Sequence, residues 1–578
     1  MIMKKVITLG LALSTLFIAH TQVVQRKLQR VEKMAQLPQP YHIIDYRGLA
    51  HKFDETVYDF NAKGKHWPLI WMDSSRKNVD QVVAGIYTAI GDVRQGPAHN
   101  KGMFHESLAT MGAVLGATLV GIDKSAQQHN YVSMLKNYFN SGTGWNIMMN
   151  NTCPEVALLG GGYGRDWWYD VYPNVLFYAI YDLYPNEPGF TDIARTIAER
   201  FYAADSILNG NYNWSFFDYG KMKPMKNDIC IQPDAAAGHA WVLYSAWKKF
   251  GDKRYLQGAQ RAMKALQAQP ANPTYEVLMP FGAYLAARMY AETGQHFDTD
   301  KMLRWSFDGT PKCREGWGVL VGKWNGFDIS GIVGSTFDRG GYGFLMNTYD
   351  AAWPLVPMVR YDASSANAIG RWMLNAANAA RFFYPQYIPA EHQTLPDLAE
   401  VTKGVIAYEG IIKNPSYEAY RHLKAPVAQG DGPLWVQDQN PPESQFSVYG
   451  SGHVGIFGSI IDTTDVQGIL RLNLLATDFF RDNAFPSYLY YNPHTAARKV
   501  SVIIPEGQKA DLYNTVTRRF IARNVSGKSK ISIPARSSAV IVICPAGGKQ
   551  VIRKGQLLVN DTVVDYGVSS NSRPMLRA

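Results

Sequence analysis

Three carboxylates stand where a loop runs into a long apolar stretch: Asp166 in "GGYGRDWWYD" (161–170), Asp234 in "QPDAAAGHAW" (232–241) and Glu276 in "NPTYEVLMPF" (272–281). A fourth, Glu106, follows His105 in "MFHESLATMG" (103–112). Glycosidic bond hydrolysis needs a carboxylic acid to protonate the leaving oxygen and a carboxylate to activate water or attack the sugar. Asp166, Asp234 and Glu276 are the expected acid/base residues. Each also has a plainer reading. Asp234 follows Pro233 and suits a helix cap, a role compatible with lining a site, and Asp170 suits a cap as well. Glu276 lies in an otherwise apolar stretch, where a buried carboxylate needs a partner or a task.

Around these carboxylates the sequence sets aromatic and polar side chains suited to an amphipathic ligand. Trp167, Trp168 and Tyr169 are expected to stack on sugar faces, and Arg165 to meet a carboxylate. His105, Glu106 and His239 are further binding candidates, as are Trp71 and Asp73 of "LIWMDSS" (69–75) and Arg339 and Tyr342 of "STFDRGGYGFLMN" (335–347). Trp317, Trp324 and Asp338 belong to the same glycine- and aromatic-rich loops. Plain packing competes at every one of them, and a histidine on an apolar helix, such as His239, is more often a hydrogen-bonded core residue. The same stretch also holds the parts of a lyase: a His or Tyr base (His105, His239, Tyr163, Tyr169) and groups to neutralise a uronate (Arg165, Asn150, Asn151).

Positioning such residues requires a scaffold, and the chain's alternation points to one. From about Asn78 to Asp482, uncharged helices rich in aromatic and small residues alternate with amphipathic, charged ones. "DVYPNVLFYAIYDLYP" precedes "FTDIARTIAERFYAADSIL", and "PDAAAGHAWVLYSAWKKFGD" precedes "KRYLQGAQRAMKALQAQ". A helix apolar on every face must be buried all round, whereas one with a charged stripe sits at the surface. About six such hairpins predict a mainly α fold, an (α/α) toroid, with early helices over 79–93, 106–121 and 131–139. After Phe485, β-branched alternating runs separated by turn residues predict a small antiparallel β-sandwich. The expected division is a signal peptide (1–21), an N-terminal lead-in (22–77), the toroid (78–484), the sandwich (485–568) and a polar tail (569–578).

The start, "MIMKKVITLGLALSTLFIAHTQ", has the basic end, short apolar run and polar exit of a secretory signal, so a secreted or periplasmic protein is expected. No later stretch offers the roughly 20 apolar residues of a membrane span. Cys153, Cys230, Cys313 and Cys544 are far apart, which admits one or two disulfides and disfavours a metal cluster. No metal and no cofactor is expected. The formal charge is +10, with lysines and arginines scattered and without a nucleic-acid motif, so no nucleic-acid partner is expected.

Helical toroids followed by a β-sandwich resemble a group of secreted carbohydrate-active enzymes, both hydrolases and lyases. Within it the chain is similar at pattern level to gut-bacterial β-glucuronidase-type toroid hydrolases. "RDWWYDVYPNVLFYAIYDLYP", "CIQPDAAAGHAWVLYSAWKKFGDKRYLQGAQRAMKALQ" and "YDAAWPLVPMV" also resemble the linalool dehydratase/isomerase toroid superfamily, over about a fifth of the chain. That enzyme depends on a cysteine pair, whereas Cys230 has no second cysteine near it in sequence, so this resemblance implies fold rather than terpene chemistry. The expected function is an exported glycoside hydrolase acting on a glycan, with uronic-acid-bearing (glucuronidase-like) substrates implied by the resemblance, Arg165 and the net charge. The rivals are a polysaccharide lyase on the same fold and a non-catalytic glycan-binding protein.

Overall fold

The computed structural model describes residues 22–64, 67–87, 106–140, 142–150, 166–309, 313, 316–337, 340–415, 420–430 and 448–567. The expected signal peptide and polar tail lie outside the described residues, as do Arg165, His105, Tyr163, Asn151, Asp338 and Arg339.

Helix α1 (Tyr46–Val57) is followed by a hairpin of β1 (Ile70–Asp73) and β2 (Val83–Ile86). Among the described residues the principal helices that follow are α2 (Ser107–Leu119), α3 (Trp167–Leu183), α4 (Phe190–Leu208), α5 (Ala235–Phe250), α6 (Lys253–Gln267), α7 (Met279–Thr293), α8 (Thr299–Phe307), α9 (Leu345–Tyr361), α10 (Ala366–Ala379) and the shorter α11 (Val454–Ile460). Helices α2, α3, α5, α7, α9 and α11 each pack on the next, and α11 packs back on α2, so six helices close a ring. Their composition dictates that place. Every residue of α9 is buried, as are Trp167 to Tyr181 of α3, and no face is left to be solvated.

The remaining long helices cover this ring. In α6 the buried residues Tyr255, Gly258, Ala259, Ala262, Met263 and Leu266 recur at helical spacing, and the charged positions between them face outward. Local chemistry makes the hairpin that joins α5 to α6. Gly251, at φ +75°, ends α5 in the left-handed conformation that glycine adopts without strain, and the Asp252 carboxylate then caps α6 by accepting the Arg254 N–H at 2.8 Å.

Three stretches differ from expectation. Of the helix predicted over 79–93, residues 88–93 lie outside the described residues and the described part holds strand β2 at Val83–Ile86, whose four residues are buried and pair with Ile70–Asp73. Helix α1, inside the stretch read as a lead-in, packs on α11. The glycine-rich connections supply a five-stranded antiparallel sheet of β3 (Trp317–Val319), β4 (Val333–Ser335), β5 (Tyr342–Phe344), β6 (Gly410–Ile412) and β7 (Val427–Gln429), in the order β7-β6-β5-β4-β3. With 39% helix and 20% strand, the fold holds more sheet than a toroid with one small sandwich requires.

The C-terminal β region begins before Phe485. Strands β8 (Ile461–Thr463) and β9 (Leu470–Asn473) pair with β10 (Ser487–Asn492) in a six-stranded sheet. The other members are β12 (Ala510–Asn514), β13 (Arg519–Val525) and β15 (Ser537–Pro545), in the order β8-β9-β10-β15-β12-β13. Strands β11 (Arg498–Ile503) and β14 (Lys528–Ile533) form a separate hairpin, and β16 (Gln550–Arg553), β17 (Gln556–Val559) and β18 (Thr562–Asp565) a three-stranded sheet.

At one end of the ring a buried polar network ties the helices to the segment leading into β10. Arg288 of α7 donates to the carbonyls of Phe479 and Phe480 at 2.7 and 2.6 Å, and Arg360 of α9 donates to Asp478 at 2.8 Å. No helix among the described residues is long and apolar enough to cross a membrane.

Candidate functional site

At the opposite end, where α2, α3, α5 and α9 begin, three buried carboxylates are each held by a carboxamide. Asp166, the residue before α3, accepts from Gln232 Nε2 at 2.7 Å. Glu106, the residue before α2, accepts from Asn150 Nδ2 at 3.1 Å. Glu276, in the segment before α7, accepts from Asn347 Nδ2 at 2.8 Å. The carboxamides are themselves anchored. Gln232 Oε1 accepts the Trp168 N–H at 3.3 Å, Asn150 Oδ1 accepts the Leu108 N–H at 3.4 Å, and Asn347 belongs to the first turn of α9.

These carboxylates converge on one phenol. Tyr169 of α3 lies with its hydroxyl 2.9 Å from that of Tyr449. Its pKa is raised well above the ordinary tyrosine value, first by burial and then by the charges of Glu106, Glu276 and Asp166. Tyr449 is raised likewise, by burial, Tyr169 and Glu106, with Glu409 contributing from the residue before β6. Carboxylates from four separate parts of the chain thus act electrostatically on a pair of tyrosines. Phenols pushed upward in this way hold their protons at neutral pH, which does not suit Tyr169 to the role of a lyase base.

Asp234 has a different position. It precedes α5 but makes no side-chain cap; its carboxyl accepts the backbone N–H of Tyr275 at 2.8 Å. Burial pushes its pKa up to about 8, against the lowering effect of that hydrogen bond. The next residue, Glu276, has φ +57°, the left-handed region that a side chain other than glycine occupies at a cost of about 1–3 kcal/mol. The Asp234 carboxyl thus supports the turn that precedes Glu276 and does not make the side-chain cap expected from sequence.

Of the other expected ligand-binding residues, the structure brings some together and sets others apart. Trp168 packs with its ring 3.8 Å from that of Tyr169. Tyr342 stacks on Phe344, which stacks on Tyr449, while Trp317 meets Tyr275, Tyr342 and Phe344 edge-on or tilted, making an aromatic wall from β3 and β5 to the tyrosine pair. Asp73 is buried and accepts the Ser75 N–H at 2.7 Å; burial, then Glu106 and Asp73, raise the Tyr138 pKa, and Trp71 stacks on Tyr87. Trp167 and His239 belong to the core. Trp167 is fully buried against Tyr212, and His239 lies among Trp167, Phe201, Tyr212 and Tyr219, with Nε2 2.8 Å from the Tyr219 hydroxyl. Burial lowers the His239 pKa to about 3, so at neutral pH the ring is neutral, with a single N–H.

Sequence reasoning missed Gln232, Asn347, Glu409 and Tyr449. Gln232 lies two residues before Asp234, but a carboxamide beside a carboxylate in sequence carries no signal of contact with a different one. Cys230, two residues from Gln232, is joined to Cys313 in a disulfide with Cα atoms 5.4 Å apart, supplying the partner that sequence proximity did not. Cys544 is free and buried.

Beneath the cluster, His453 and Asp350 form a fully buried pair. His453 Nδ1 is 2.7 Å from Asp350 Oδ1 and Nε2 is 3.0 Å from the Leu108 carbonyl oxygen. Both ring nitrogens face acceptors, so the ring carries both protons. Asp350 and the Leu108 carbonyl raise its pKa against the lowering effect of burial. The ring rests on Gly112 of α2, where a Cβ would meet Nε2 at 1.9 Å. Among the described residues no group of histidine, cysteine or acidic side chains has the arrangement of a metal site.

No protein-family model and no curated protein matches this chain. Among solved structures it is similar to a GH127 β-L-arabinofuranosidase from Geobacillus stearothermophilus T6, at 11% identity over 90% of this chain and 85% of that one, with a TM-score of 0.31. It is similar to a family 76 glycoside hydrolase from a bovine Bacteroides thetaiotaomicron strain, at 9% identity over 72% of this chain and 77% of that one, with a TM-score of 0.36. It is also similar to the endoglucanase CelQ from Clostridium thermocellum, at 11% identity over 90% of this chain and 98% of that one, with a TM-score of 0.34. All three are glycoside hydrolases by name.

Proposed function

We propose that this protein is a glycoside hydrolase whose acid/base carboxylates are drawn from Glu106, Asp166 and Glu276. One observation carries the reading: these three, from three separate elements, act together on the buried Tyr169 hydroxyl while each accepts from its own carboxamide. Neutral donors orient a carboxylate without cancelling its charge, and like charges gathered in a low-dielectric site do not all ionise. A protonated member beside ionised neighbours is the division of labour that glycoside hydrolysis needs.

Glu106 is the group best suited to keep the proton. Its side chain is the most deeply buried of the three, and its bond from Asn150, at 3.1 Å, is longer than those to Asp166 and Glu276. Glu276, the least buried, is assigned the ionised role of base or nucleophile, and Asp166 the charge that keeps the Glu106 proton in place. The wall of Trp317, Tyr342 and Phe344 offers sugar-stacking faces beside them.

A leaving-group series tests the assignment. With an aryl glycoside whose leaving group needs no protonation, Glu106→Gln should keep activity within about tenfold of the parent and lose it on an alkyl or sugar leaving group; Glu276→Gln should lose both. Equal losses for the two variants on both substrates would sink the division of roles. The negative cluster favours a neutral sugar at the point of cleavage. A uronate there needs a cation, for which Arg165 is the candidate named by sequence. The signal-like N-terminus supports export, which fractionation of expressing cells would test.

A further inference from the structure

The chain's positive charge is concentrated in its C-terminal β region. Within it, residues 485–567 hold twelve lysines and arginines against four aspartates and glutamates, so these residues carry +8 of the formal +10. The rest of the chain is near balance, and the candidate site is negative. A strand edge focuses this charge. Strand β13 forms one edge of the six-stranded sheet, and a groove of about 550 Å³ separates it from β16 and β17.

The groove has two kinds of lining. Its apolar surfaces come from Tyr513, Phe520 and Ile552, the last of which is 53% exposed. Its charges come from Arg518, Arg519 and Arg523. Arg523 is fixed in place, bound to Asp511 at 2.8 Å with its guanidinium 3.5 Å from the Phe520 ring centroid. Arg518 and Arg519 have no carboxylate partner among the described residues, and Arg518 Nε is shielded from solvent without a hydrogen-bond acceptor. A shielded guanidinium N–H without an acceptor costs about 1–3 kcal/mol, and an anionic oxygen in the groove would remove that cost.

We infer that this groove binds an acidic polysaccharide, its carboxylate or sulfate groups meeting Arg518 and Arg519 and its sugar faces lying on Phe520 and Ile552. Paired guanidinium forks suit planar oxyanions, and the adjacent aromatic and aliphatic surface suits a pyranose ring better than a fully charged chain. The choice of a glycan over other polyanions rests on the glycosidase reading. The two sites then divide the substrate: the negative cluster takes a neutral linkage while the β region grips acidic groups elsewhere on the same chain.

The test is binding by the full chain, measured by affinity electrophoresis against polygalacturonate, dextran sulfate and neutral dextran. One or both acidic polymers should retard the protein, with affinity falling at least about tenfold between 50 and 200 mM salt, and neutral dextran should not. Comparing the two acidic polymers tells carboxylate from sulfate recognition. The variant Arg518→Gln/Arg519→Gln should weaken binding at least about tenfold, while Lys528→Gln/Lys530→Gln, an equal loss of charge on β14, should leave it within about twofold. Both variants should melt as the parent does and hydrolyse a small aryl glycoside alike. Equal weakening by the two variants, no retardation by either acidic polymer, or tighter binding to duplex DNA or anionic vesicles would each overturn the inference. A chain that binds acidic glycan through these arginines and cleaves none would overturn the glycosidase reading and leave the groove standing.

Discussion

The Asp234 carboxyl accepts the Tyr275 backbone N–H at 2.8 Å, one residue before Glu276 turns through φ +57°. Burial raises Asp234 to about 8, so the folded protein holds a proton there that the unfolded chain releases near pH 4. Between those values the folded state binds more protons than the unfolded one, and its stability falls as pH rises. Asp234→Asn removes this term. Melting temperatures taken from pH 4 to 8 should decline less in Asp234→Asn than in the parent, and parallel profiles would contradict a buried, protonated Asp234. Asp234→Ala, which abandons the Tyr275 N–H, should cost about 1–3 kcal/mol in urea unfolding and lower kcat more than it raises KM.

A second carboxylate placed against Glu276 should move its titration. Asn347 donates to Glu276 Oε2 at 2.8 Å, so Asn347→Asp exchanges a donor for a like charge. Like charge disfavours ionisation and raises the pKa. If Glu276 works ionised, the acidic limb of the kcat/KM profile should shift to higher pH by about one unit. An unmoved limb with lowered activity would mean that Asn347 matters only for packing.

His453 and Asp350 make a buried ion pair whose single removal leaves a charge stranded. Asp350→Asn should destabilise the fold by about 3–5 kcal/mol, read from chemical denaturation. The His453 pKa is raised above its ordinary value, so the pair's contribution is complete below about pH 6.5 and fades as pH climbs through the folded pKa. Gly112→Ala should be destabilising as well, because the added methyl displaces the ring from the Leu108 carbonyl.

The Cys230–Cys313 disulfide closes a loop of 83 residues beside Gln232. Reduction, or replacement of both cysteines by serine, should lower stability by about 2–5 kcal/mol. Because Gln232 holds Asp166, activity should fall at temperatures well below the new melting point. Activity that tracks the folded fraction alone would remove the proposed link to Asp166.

Much of the fold was legible because burial leaves a local mark. The uncharged stretch "NVLFYAIY" must be buried on every face, and the charged stripe of 253–267 places that helix on the outside. Within 79–93 the expected helix failed over Val83–Ile86 for the same reason that short apolar runs often do: these residues pair with a strand, Ile70–Asp73, that periodicity does not reveal.

Residue type and local pattern by themselves determined that carboxylates would stand at the mouths of buried helices, with Asp166, Glu276 and Glu106 among them. Only the tertiary structure decided which carboxylates bear on the Tyr169–Tyr449 pair, that Gln232, Asn347 and Asn150 hold them, that Asp234 supports a backbone turn and that His239 is core. A hydrogen bond between Gln232 and Asp166 spans 66 residues, and one between Asn347 and Glu276 spans 71. Pairings at such range are set by how helices close into a ring, and no spacing along a single chain encodes that closure.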